Sequence, residues 1–192
     1  MTIDYEKWHD GIGYDIKALE EASTEERGEI EAILIKQKPL DWRDVEALSI
    51  LNTPKARCML REAVSDSNLE LQLAVTQYAP HLISSSDRTR VIVDALRRAD
   101  IFWGLSQALD QVSEFHPPDV VLELLKGVLA RKGDVAVLFA AMLSYLYGKS
   151  DDPFDMKQRP FFLRFNTDVS AERCKAFLEL CEKIGVNPDD YL

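Results

Sequence analysis

The sequence predicts an all-α protein, an α-solenoid of stacked helical hairpins. Three observations predict it. Apolar residues recur at steps of three and four along most of the chain, capping residues and prolines interrupt them at short intervals, and from Thr53 onward the pattern repeats about every 32 residues.

The first helix is expected over about 4–22, where Tyr5, Trp8, Ile12, Ile16 and Leu19 form one apolar stripe. Gly11 and Gly13 weaken it, each by up to about 1 kcal/mol relative to alanine. Ser23 followed by Glu26 is a capping box that opens the next helix, with Ile30, Ile33 and Leu34 as its inward face, and Lys38-Pro39 ends it. Asp41 caps a third helix with Val45, Leu48 and Leu51 inward. Thr53-Pro54 then supplies an N-cap and a first-turn proline for a fourth. The pair at about 24–52 reads as a degenerate copy of three hairpins that follow at 53–84, 85–116 and 117–148.

The register of those three copies is specific. Leu60, Ile92 and Leu124 superpose, as do Val64, Leu96 and Val128, with the small residues Ala63, Ala95 and Gly127 between them. The partner helices repeat with slightly uneven steps: Leu71, Leu105 and Leu138, then Ala74, Ala108 and Ala141, then Val75, Leu109 and Met142. A hairpin of this size cannot bury its apolar face alone, so copies share one core, with small residues where helix axes approach. The period is close to that of a tetratricopeptide repeat, but the Trp-Leu-Gly-Tyr signature of that repeat is missing. The stretch DSNLELQLAVTQYAPHL at 66–82 resembles a HEAT repeat, with its acidic start, central Ala-Val and late proline.

The second helix of the last hairpin, DVAVLFAAMLSYLY, is apolar nearly all the way round and needs cover on more than one face. Two segments can give it. One is a final helix at about 170–186, capped by Ser170 and striped by Cys174, Phe177, Leu178, Cys181 and Ile184. The other is the segment 149–169, which holds four of the eight phenylalanines and reads as a long loop because Pro153 and Pro160 forbid one continuous helix. Phe161, Phe162 and Phe165 are expected to close the C-terminal end of the solenoid.

Composition narrows the partners. The 192 residues, 46% hydrophobic, read as one domain. The formal charge of −10, from 33 acids against 23 bases, repels nucleic-acid phosphate and anionic membrane and favours encounter with a cationic protein. MTIDYEKWHD lacks the basic-then-apolar pattern of a signal peptide, and the longest apolar window, 135–143, is too short for a bilayer. A soluble cytoplasmic protein is expected. Cys58, Cys174 and Cys181 are an odd number without a CxxC pair and read as reduced core thiols. His9, His81 and His116 show no metal-ligand spacing, and no cofactor or metal is expected.

No phosphate-binding loop, HExxH, GxSxG or EF-hand loop is present, so the chain reads as a binder and not an enzyme. Asp151, Asp152 and Asp155 fit turn-forming carboxylates or a partner contact better than a cation site. Arg88, Arg90, Arg97 and Arg98 form a basic concentration best read as salt-bridged surface. Phe102 and Trp103 open the second helix of the middle hairpin, either as core or as an aromatic anchor for a partner.

Tyr147-Gly148-Lys149, Pro153-Phe154-Asp155 and Arg159-Pro160-Phe161-Phe162-Leu163-Arg164-Phe165, following HEAT-like hairpins, resemble the HEAT-like immunity proteins of bacterial polymorphic toxin systems over about residues 53–168. The resemblance implies a non-catalytic cytoplasmic protein that neutralises a cognate toxin domain by occluding its active or substrate-binding site. A basic toxin is the implied partner. A general HEAT-like interaction scaffold is the alternative. Partner contacts are expected from Phe102, Trp103, Asp151, Asp152, Asp155, Arg159 and Arg164: the aromatics as anchors, the carboxylates against basic groups, the arginines either holding the loop or pairing across the interface.

Overall fold

The computed structural model describes residues 13–37, 40–100 and 104–191, and among them the regular elements are helices, with no strand. None of these helices is long and apolar enough to cross a membrane. The chain forms two compact units, 1–91 and 92–192.

In the first unit, helix α1 spans Ile16–Glu21, α2 Thr24–Lys36, α3 Trp42–Leu51, α4 Pro54–Ala63 and α5 Leu69–Tyr78. Helix α6, Ser85–Arg98, crosses the boundary between the units. The caps fall where the sequence puts them. Ser23 accepts from the Glu26 amide while the Glu26 carboxylate accepts from the Ser23 amide, Asp41 and Asp44 repeat the device on α3, and Thr53 with Pro54 opens α4. Helix α3 is the hub on which α1, α2, α4 and α5 pack. Its Val45 and Leu48 are fully buried. The same helix buries Asp44, whose carboxylate accepts from the Tyr14 hydroxyl at 2.9 Å and from the Asp41 amide at 2.9 Å. Burial raises the pKa of Asp44, and burial together with this hydrogen bond pushes Tyr14 up to about 12.

The second unit holds α7 at Leu105–Glu114, α8 at Pro118–Ala130, α9 at Gly133–Leu146, the short α10 at Arg159–Phe162 and α11 at Ser170–Ile184. Helix α9 lies at its centre. Helices α7, α8, α10 and α11 and the 3-10 turn Leu163–Phe165 all pack on it, and residues 135–137 and 139–144 are buried. Cover on several faces is what its all-round apolar sequence requires.

The repeat register is reproduced in burial. Leu60, Ile92 and Leu124 are each 0% exposed, Val64, Leu96 and Val128 are buried, and so are Ala63, Ala95 and Gly127. On the partner helices the only half-buried member is Leu138. Gly127 has a specific cause: a Cβ there would lie 2.5 Å from Cδ2 of Phe139 and closer still to Cε2, so α8 reaches α9 only with a hydrogen at this position.

Several expectations are corrected. The expected first helix is described from Ile16 onward, and Tyr5, Trp8 and Ile12 lie outside the described residues. Lys38 and Pro39 lie outside them too; α2 ends at Lys36. Ile33 is 62% exposed although Leu34 beside it is buried, because α2 packs along the Ile30 and Leu34 line only. Cys58 is exposed, two residues and more than half a helical turn from buried Leu60. Cys174 is half-buried, and only Cys181 is a core thiol, its pKa pushed up to about 11 by burial. Leu178 is exposed on α11. Ser170 is the first residue of that helix, not its cap: Thr167 instead accepts from the Val169 amide and donates to Glu172, setting the approach to the helix from further upstream.

Candidate partner-binding site

The segment from Gly148 to Asp168 leaves α9 and returns to α11, held by hydrogen bonds, buried rings and an ion pair. Gly148 stands at φ 65°, where a side chain is strained, and lets the chain turn off the helix. Its amide donates to the Tyr145 carbonyl at 2.9 Å and that of Lys149 to Ser144 at 2.8 Å, the double closure of a Schellman motif. Asp152 then accepts from the Phe154 amide at 2.8 Å and Asp155 from the Lys157 amide at 2.9 Å. These are turn-forming carboxylates, as the sequence suggests. The Lys157 amide and the Gln158 side chain, with the charges of Lys157 and Lys183 nearby, hold the Asp155 carboxyl below its ordinary pKa.

Gln158 closes the segment. Its side-chain amide donates to the Lys149 carbonyl at 2.7 Å and to Asp155 at 3.2 Å, and its carbonyl accepts from Lys183 on α11. One side chain therefore joins both ends of the turn region to the final helix.

The chain next forms α10, where a fully irregular loop is expected from the two prolines. Pro160 sits in the first turn, where the missing amide hydrogen costs nothing, so Arg159–Phe162 can be helical. Phe162 and Phe165 are both 0% exposed, each burial worth roughly 1.5–3 kcal/mol. Phe161 is half-buried. Its ring meets Phe162 and Phe165 edge-on at 5.7 and 5.9 Å, with the Arg164 guanidinium 5.6 Å and the Lys183 ammonium 5.2 Å from its centre. Arg164 in turn forms a two-toothed ion pair with Glu179 of α11, one limb at 2.9 Å. That hydrogen bond raises the pKa of Arg164 and lowers that of Glu179.

No family model, curated protein or solved structure matches this chain.

The expected contact residues therefore divide by geometry. Asp151, Asp152, Asp155, Arg159 and Arg164 share this one segment. Asp151, Asp152 and Arg159 are exposed on it, with Met156 exposed at 60% and Leu163 at 43%. Arg164 is committed to Glu179 and Phe161, so it holds the segment. Phe102 and Trp103 lie outside the described residues. Sequence reasoning missed Gln158, Glu179 and Lys183. The last two are four apart on α11 and share a face, but the partners they meet come from another element. In the basic concentration on α6, Arg97 bridges to Glu123 of α8 at 3.0 Å, and Arg90 lies 4.0 Å from Asp87.

Chemically, the segment offers carboxylates, an exposed guanidinium at Arg159 and the exposed apolar side chains Met156 and Leu163. Two of those carboxylates, Asp152 and Asp155, are fixed by backbone amides, and among the described residues no three His, Cys, Asp or Glu converge as metal ligands.

Proposed function

We propose that this protein is a non-catalytic immunity protein that binds a cognate bacterial toxin domain in the cytoplasm and occludes its active or substrate-binding site. The observation that carries the reading is the pre-ordered 149–168 segment. Gln158 and the Arg164–Glu179 pair fix it to the final helix, while Asp151, Asp152 and Arg159 stay exposed beside Met156. A surface ordered before contact loses little conformational entropy on binding. Its carboxylates and the overall charge of −10 suit a basic partner. The segment also contains the residues on which the resemblance to HEAT-like immunity proteins rests.

We further propose that the hairpins 53–84, 85–116 and 117–148 stack as a HEAT-like α-solenoid whose C-terminal end is covered by the Phe-rich segment and α11. The matching burial at equivalent positions of the three copies supports it.

Co-expression with the product of the adjacent gene tests the function. Restored growth together with a co-purifying complex is the expected result. Failure of both would remove the reading, and a complex without any toxicity to relieve would favour the scaffold.

A further inference from the structure

A second surface lies in the first unit and shares no residue with the 149–168 segment. An open groove of about 530 Å³ runs beside the turn joining α4 to α5. Leu40, Met59, Ala63 and Leu71 give it an apolar floor, and Glu62, Asp66 and Asn68 complete its wall. Asp66 accepts from the Asn68 amide at 2.8 Å, which fixes one carboxylate oxygen and leaves the other for a ligand. Among the described residues neither Glu62 nor Asp66 has a cationic partner. Arg57 and Arg61 fall roughly half a turn around α4 from Met59, and Lys55, one turn earlier on the Met59 face, does not line the groove. The Gln72 side-chain amide donates to the Asp66 carbonyl and braces the turn from α5.

We propose that this groove is a docking pocket for an arginine side chain of a protein partner. Charge complementarity and shape select the occupant together. Two carboxylates with no cationic partner among the described residues call for a cation, and an apolar floor calls for a cation carried on a hydrocarbon stem. The arginine stem lies along Met59 and Leu71 while its planar fork of donors meets Glu62 and Asp66. The volume falls within the range of small-ligand pockets and accommodates one such side chain with its flanking peptide. The inference goes beyond the inhibitor reading, which uses the 149–168 segment, and it stands for any arginine-bearing partner.

The test uses the full chain, ¹⁵N-labelled, titrated with N-acetyl-arginine amide and separately with N-acetyl-citrulline amide, the uncharged analogue of the same shape. Saturable shifts at amides of residues 59–71 are expected with arginine, in the millimolar range, and at least tenfold weaker binding with citrulline. Glu62→Gln, which alters no backbone bond, is expected to weaken arginine at least threefold, and E62Q/D66N to abolish it with an unchanged melt. Equal response to both compounds, shifts without saturation, or full binding by the double variant would overturn the proposal.

Discussion

Gly127 separates two opposed physical effects. Replacing a helix-interior glycine with alanine ordinarily stabilises by up to about 1 kcal/mol, through reduced freedom of the unfolded chain. Here the new Cβ would lie 2.5 Å from Cδ2 of Phe139, and ordinary carbon contacts need about 3.5–4 Å. The ring has to move by about 1 Å. It has nowhere to go, since Phe139 is 1% exposed on a helix packed from several sides. Overpacking of this kind costs about 1–3 kcal/mol, so Gly127→Ala is expected to lose about 1–2 kcal/mol net. For a chain of this length that is about 2–8 °C in Tm. Thermal and urea unfolding measure it, and a G127A/F139L double variant should recover part of the loss, because the two sites couple through one contact. A G127A protein as stable as the parent, or more so, would refute the close approach of α8 and α9 and with it the reason a small residue occupies that repeat position.

Two further outcomes follow from the C-terminal segment. Phe162→Ala removes a fully buried ring and should lower stability by about 3–5 kcal/mol; an unchanged melt would mean that the Phe-rich segment does not cover α9. Asp155 gives a pH dependence of known sign. Its folded pKa lies below its unfolded value, so its contribution is complete above about 3.9 and is lost as pH falls through the lower folded value. The Lys157 amide proton shift should follow that titration and become flat over the same range in Asp155→Asn.

Much of the fold was legible because it is periodic. The positions aligned with Leu60 and Val64 are buried in all three copies, since a repeated hairpin has to bury the same face each time. Caps were legible for a related reason: Ser23, Asp41 and Thr53 act within three residues of themselves. What failed depends on partners distant in sequence. Ile33 satisfies the helical stripe as well as Ile30 does, and only the placement of α3 decides which of them is covered. Arg164 and Glu179 are 15 residues apart in separate elements, so nothing local announces their pairing. The boundary between the two units falls inside α6, where the helical periodicity runs on without a break. Of the candidate site, the carboxylate turns were readable from their spacing, whereas the Gln158 tie required the return of α11.

The proposed inhibition requires the 149–168 segment to be the surface that captures a toxin domain. Its most direct test is the Kd of the co-purifying toxin domain for the parent protein and for D151N/D152N, in which the side chain at position 152 keeps the acceptor for the Phe154 amide and only charge is removed. A Kd at least tenfold weaker, with an unchanged melt and a flattened salt dependence, is the predicted result. A Kd within twofold of the parent would contradict it.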